Sequence, residues 1–169
     1  MKRKIFIIIS AVILLCVCLM LWYIITTKYK YNHLNIEKLP DIELFTSKNI
    51  PFYIPNSYKA VIIVFFKSDC QYCLDEIRQL SDSETIFEKA QVYCVTVEPV
   101  EYLKDIESNF FLSQIIFLQD REKYLYDALS VKHYPSAYLF TSDRKFIKRF
   151  TGFAHVNEIT SYIPNEQTD

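Results

Sequence analysis

Between Ile5 and Ile25 the chain is apolar at almost every position, a run of roughly 21 residues broken only by Ser10, which is the length a helix needs to span the hydrocarbon core of a bilayer. Lys2, Arg3 and Lys4 precede the run, and Trp22 with Tyr23 stand where an interfacial aromatic pair belongs. A positive N-terminal flank keeps that end in the cytoplasm and sends the rest across, although Lys28 and Lys30 lie on the far side. A cleaved signal peptide fits less well, because no small-x-small cleavage site follows and the run is long for a signal core. A lipoprotein reading would acylate Cys16 or Cys18, but Leu15 and Val17 before them are bulkier than such processing accepts, and both cysteines read as small apolar residues of the membrane helix. The expected organisation is a cytoplasmic tip and transmembrane anchor over residues 1–28, a polar linker over 29–38, and one domain over 39–169.

A chain of 169 residues, 51% hydrophobic and 16% aromatic, holds one ordinary globular core beside such an anchor, but hardly two. With a formal net charge of −1 and no Lys/Arg block beyond the N-terminus, the sequence carries no electrostatic footprint for nucleic acid. Gly152 is the single glycine, which excludes glycine-rich phosphate loops and leaves the turns to Asn, Asp, Ser and Pro.

The pattern of the exported part predicts short strands at Asp41–Phe45 and Pro51–Ile54, then a strongly apolar central strand at Ala60–Phe66. A helix follows from about Gln71, with Leu74, Ile77 and Leu80 on one face, and a second buried strand covers Gln91–Val97. Strand, helix, strand indicates a parallel crossover. Helical stretches at Pro99–Asn109 and Tyr124–Leu129 flank a short strand at Ile115–Leu118, and Val156–Ile163 closes the chain as a helix. Ser136–Phe140 and Lys145–Phe150, separated by Ser142, Asp143 and Arg144, form the pattern of an antiparallel hairpin.

The chemistry-bearing motif is Cys70-Gln71-Tyr72-Cys73, set where the apolar strand ends and the helix begins. Backbone N–H groups point outward at such a junction and favour negative charge, hence a thiolate. The thiolate is the attacking species, and a second cysteine nearby resolves the mixed disulfide, so Cys70 is the expected nucleophile and Cys73, one turn inward, the resolving thiol. Three other readings compete. A closed zinc site needs further ligands, and outside the membrane only Cys94, His33, His133 and His155 remain. A structural disulfide at this spacing closes too small a loop to remove much chain entropy. Two buried inert cysteines sit poorly with the polar flanks Ser68, Asp69 and Gln71. Cys94, on its apolar strand, reads as a core residue.

The sequence resembles the thioredoxin-like family, and within it the membrane-tethered extracytoplasmic thiol-disulfide oxidoreductases of bacteria, over roughly Leu39 to Ile163. The matching pieces, in order, are Leu39-Pro40-Asp41, Val61 to Cys73, Tyr126 to Pro135, and the hairpin ending in Gly152. The resemblance implies a thioredoxin-like three-layer α/β fold with a mixed central sheet, preceded by the transmembrane helix. It also implies a cis bond at Tyr134-Pro135 facing the cysteines, with Tyr134 offering a backbone edge to an extended substrate. Glu76, three residues after Cys73, matches a glutamate thought to assist proton transfer; the plain alternative is a solvated helix-face glutamate. Asp69 replaces the usual tryptophan, Tyr72 the usual proline, and Arg144 a frequent hairpin glycine. Val64 stands where cytoplasmic thioredoxins bury an acid.

The expected activity is dithiol-disulfide exchange with exported proteins, in the direction of reduction, fed by a membrane electron-donor protein. The expected location is the bacterial cytoplasmic membrane, with one span and the domain outside. Cys70, Cys73 and Glu76 are the expected catalytic residues, and Tyr72, Tyr134 and Pro135 the expected substrate contacts, with no cofactor and no metal. The alternative of another class is a non-catalytic peptide- or protein-binding module, for which Tyr72 and Tyr134 would serve as exposed aromatics. A peroxidase on the same fold lacks its proline-threonine-cysteine context.

Overall fold

The computed structural model describes residues 13–23, 36–110 and 114–164. The chain divides into two units, Met1–Asn35 and Ile36–Asp169. In the first, residues 13–23 are helical, with Leu14, Trp22 and Tyr23 exposed. Among the described residues no helix is long and apolar enough to cross a membrane. Both ends of the expected span, Ile5–Ile25, lie outside the described residues.

In the second unit, the described residues carry a seven-stranded mixed sheet in the order β2-β1-β5-β4-β3-β6-β7. The strands are β1 (Leu44–Phe45), β2 (Pro51–Phe52), β3 (Ala60–Phe65), β4 (Ala90–Thr96), β5 (Ile116–Gln119), β6 (Ser136–Phe140) and β7 (Phe146–Thr151). The helices are α1 (Gln71–Ser81), α2 (Glu84–Lys89), α3 (Val100–Asn109), α4 (Tyr124–Ala128) and α5 (Val156–Ser161). β3, β4 and β5 run parallel, as the strand-helix-strand pattern requires, while β6–β7 and the β1–β2 hairpin add antiparallel edges.

β3 is buried along its whole length because both faces of the sheet are covered. Ile62 and Val64 point into one cluster with Val92, Cys94, Ala137 and Leu139, together with Cys73, Ile77 and Leu80 of α1. Leu103 of α3 and Ile159 of α5 complete that side. On the other side Phe65 meets Tyr126 of α4 and Tyr138 edge-on, and Tyr93 meets Phe52. Period-2 alternation thus sorts one continuous apolar run onto two cores.

Several boundaries differ from the sequence reading. β1 and β2 are two residues each, since Pro51 has no N–H and only a short edge pairs. The sequence pattern gives no indication of the helix α2. Asp82 caps α1 and Ser83 caps α2, so the polar step interrupts what reads as one segment, and six residues are too few to display a period. β7 begins at Phe146 and runs to Thr151, after a register irregularity at Leu139/Phe140. Pairing also reaches upstream of Leu39: Phe146 N–H donates to Glu37 O at 3.1 Å, and Lys38 bridges Lys145.

Arg144 occupies the hairpin turn at φ 68°, which accounts for the frequent glycine there. Its guanidinium donates to Ile54 O and Pro40 O at 3.3 and 3.1 Å and pairs with Asp41. Those bonds offset the left-handed backbone that an arginine rarely adopts.

Candidate active site

β3 ends at Phe65, and its neighbour in register on β6 is Ser136, the residue after Pro135. The strand-to-helix turn after β3 and the start of β6 therefore share one end of the sheet. Residues Lys67, Ser68 and Asp69 make the turn, and Cys70 caps α1 with extended backbone. Its carbonyl accepts from Leu74 N–H at 3.1 Å, and its Sγ accepts from Cys73 N–H at 3.2 Å. The same N–H also donates to Cys70 O at 3.0 Å, so the sulfur, standing in the place of an N-cap oxygen, shares a first-turn N–H with the cap residue's own carbonyl. That bond and the helix dipole both favour negative charge on Cys70 Sγ. Cys70 and Cys73 are joined as a disulfide, with Cys70 half-buried and Cys73 without exposed surface.

Tyr134-Pro135 is cis. Pro135 is buried, and its carbonyl accepts from Gly152 N–H at 2.9 Å. Gly152 sits at φ +81°, a backbone state that a side chain would strain, so the single glycine serves to close β7 against Pro135. Tyr134 is not the exposed aromatic that the binding-module reading required. It is half-buried, stacked on Tyr126 with ring centroids 6.2 Å apart, and Lys67 Nζ lies 5.1 Å above its ring. Burial, followed by the neighbouring Tyr126, pushes its hydroxyl pKa well up. Tyr72 is exposed at 71% and stands clear of the core.

Glu76 projects from α1 one turn after Cys73 and has no exposed surface, which excludes the solvated helix-face alternative. Its Oε2 accepts from Ala154 N–H at 3.1 Å, while Oε1 has no partner. Burial raises its pKa to about 7, opposed by the Ala154 bond. Val64, opposite Cys94 on β4 and Ala137 on β6, leaves the strand without an acid, and the helix supplies one instead. Cys94 is wholly buried, and burial first, then the Glu76 charge, pushes its thiol well up. It is a core residue without the environment of a reactive thiol.

Two polar residues beside the site, Glu98 and Asp120, carried no signal in the sequence. Ser68 N–H donates to Glu98 Oε2 at 2.6 Å, and Ser68 Oγ to Oε1 at 3.2 Å. Asp120, buried at the end of β5, accepts from Tyr126 N–H at 2.7 Å and holds the start of α4; burial raises its pKa against those bonds. Glu98 and Asp120 fall between predicted elements, where periodicity says nothing. Among the described residues no three His, Cys, Asp or Glu side chains are arranged to hold a metal ion.

No family model matches the sequence, and no curated protein matches it. Solved structures do. The exposed lipoprotein thioredoxin Etrx1 of Streptococcus pneumoniae TIGR4 superposes with a TM-score of 0.63 at 19% identity, over 73% of this chain and 98% of that one. A secreted Mycobacterium tuberculosis disulfide oxidoreductase, homologous to DsbE of E. coli, gives 0.61 at 15% identity over 73% and 94%. The peroxidoxin BcpB of M. tuberculosis gives 0.69 at 15% identity over 80% and 100%. Likeness at these identities speaks for architecture, since one fold carries redox proteins of more than one kind. With its mixed sheet, its helix-capping cysteine pair and the cis-proline ahead of β6, the chain has the thioredoxin-like fold.

Proposed function

We propose that the chain is a thiol-disulfide oxidoreductase that reduces disulfides of exported proteins through Cys70 and Cys73, held at the outer side of the cytoplasmic membrane by its N-terminal apolar segment. The observation that carries this reading is the Cys70–Cys73 disulfide at the cap of α1, with Cys70 Sγ on a helix N–H and Cys73 shielded behind it. The anchor rests on the Ile5–Ile25 run and its charged flank.

In the reduced protein the Cys70 thiolate attacks one sulfur of a client disulfide, and the other client sulfur leaves as a thiolate and takes up a proton. Cys73 then gives its proton to the Glu76 carboxylate and attacks Cys70 Sγ. The bond between Cys70 and the client breaks, the second client thiol is released, and two electrons have passed to the client. Cys70–Cys73 ends as a disulfide, which a partner dithiol in the membrane must reduce. A carboxyl whose pKa lies near 7 can accept and return that proton at neutral pH. The extended client segment lies along the backbone of Tyr134 beside Pro135, with Tyr72 as an exposed contact.

Cys70→Ser is expected to abolish reduction of insulin, and Cys73→Ser to accumulate mixed disulfides seen by mass spectrometry of non-reduced protein. A Cys70→Ser variant with full activity would sink the proposal. Equilibration with glutathione gives the direction: a strongly reducing potential supports the reductase, and an oxidising one makes the chain a disulfide donor. A pair that stays closed under reducing agents favours the binding module.

A further inference from the structure

The turn that carries the nucleophile is held from two sides. On one side is Glu98, in the loop between β4 and α3. Both its carboxylate oxygens engage Ser68, one the backbone N–H at 2.6 Å and one the hydroxyl at 3.2 Å. Glu98 is itself fixed, since its N–H donates to Thr96 Oγ1 at 3.1 Å and its carbonyl accepts from Gln119 Nε2 at 2.8 Å. Thr96 Oγ1 also lies 3.4 Å from Oε2. On the other side is Tyr134, whose ring is covered by Lys67, the residue before Ser68. The Lys67–Ser68 pair therefore contacts both a carboxylate fixed against β4 and the ring of Tyr134, the residue before the cis-proline. Cys70 follows two residues later, its N–H donating to Lys67 O at 3.3 Å.

We infer that Glu98 is a positioning residue of the redox site: by clamping Ser68 it fixes where Cys70 Sγ stands relative to the Tyr134-Pro135 edge. A charge-assisted pair of bonds to one residue restricts that residue more than a single neutral bond does. The geometry of attack on a disulfide is sensitive to small displacements of the nucleophile. The hydrogen bonds of the Glu98 carboxylate at this turn go to Ser68, so its hold on Cys70 acts through that residue, while its charge also reaches Tyr134 and, behind burial and Tyr126, helps raise the hydroxyl pKa there. The inference rests on the oxidoreductase reading for its consequence in turnover, but not for its geometry.

The test uses the full-length chain in detergent, reduced before each measurement. Glu98→Ala is expected to slow exchange with a disulfide-bonded peptide about 10- to 100-fold. It is also expected to shift the equilibrium of the Cys70–Cys73 pair with glutathione, while the thermal midpoint falls only slightly. Glu98→Gln keeps an oxygen for Ser68 N–H and is expected to stay within about 3-fold of wild type. Ser68→Ala added to Glu98→Ala is expected to cost nothing further, because the two act through one contact. Alkylation of reduced Cys70 by iodoacetamide, followed against pH, reads the same ordering without any client. If wild type fails to reduce any disulfide but the alkylation series keeps this order, the oxidoreductase reading falls and the positioning role stands. Glu98→Ala that alkylates and equilibrates like wild type, or loses only thermal stability, overturns the positioning role.

Discussion

Glu76 and Arg144 are both charged and both nearly inaccessible, at 0% and 6% exposure, yet they lie at opposite ends of the β3–β6 pair and behave as opposites. Arg144 is met by the carbonyls of Ile54 and Pro40 and by the Asp41 carboxylate, with only its Nε left over. Glu76 is met by one backbone N–H, with a whole carboxylate oxygen left over. A buried charge that is paired and hydrogen-bonded holds structure together, whereas a buried acid with too few donors gives up its charge easily. The far end of the sheet therefore fastens the chain at Pro40, Asp41 and Ile54, and the cysteine end keeps a group that can change protonation near neutral pH.

The largest expected effect breaks the fastened end. Arg144→Ala removes two charge-assisted bonds and leaves the Pro40 and Ile54 carbonyls short of a donor, so urea unfolding is expected to show a loss of about 3 to 5 kcal/mol. Thiol exchange should be unchanged, because the cysteines lie at the other end. A loss of exchange with little change in stability would contradict the division of labour.

Glu76→Gln probes the other half. The Glu76 carboxyl holds its proton more tightly in the folded chain, near 7, than at its ordinary value of 4.5. Its contribution to stability is therefore complete below pH 4.5 and is lost as pH rises through 7. The neutral amide removes that dependence, so the variant is expected to gain on the order of 2 to 3 kcal/mol at pH 8 and almost nothing at pH 4. The same variant should slow exchange about 100-fold if the carboxylate takes the Cys73 proton. A variant that gains stability but exchanges at the wild-type rate would leave Glu76 as a burden on the fold with no part in the chemistry.

The smallest effect sharpens the account of Arg144. Asp41 is 81% exposed, so Asp41→Ala is expected to change stability by less than about 1 kcal/mol in the same titration. A loss as large as that of Arg144→Ala would mean that the ion pair, rather than the two carbonyl bonds, fastens the chain around Pro40 and Ile54.

The parts of the fold that were legible follow from local patterns. Ser136–Phe140 is found residue for residue, because an apolar run between a proline and a polar turn has few alternatives. The start of α1 at Gln71 and the parallel crossover to β4 are equally local. The cysteine spacing and the order of Cys70, Pro135 and the hairpin pointed to the site. What escaped was α2, too short to show a period, and the ends of β1 and β2, which depend on where a partner strand stops. Tyr134 reads as exposed from the sequence, since nothing local indicates that Tyr126 and Lys67 cover it.

By itself the sequence determined the N-terminal apolar run, the alternation that fills both sides of the sheet, and the placing of two cysteines on a strand-to-helix turn. These depend on residue type and spacing along a few neighbouring positions. Only the tertiary structure decided that Glu76 is buried with one oxygen unmatched, that Arg144 is buried and matched, and that Glu98 grips Ser68. Each depends on a donor or acceptor far away in sequence, Ala154 lying 78 residues from Glu76 and Glu98 lying 30 from Ser68. The cost of desolvating a charge is set by all the groups around it, and those groups are known only once the chain has folded.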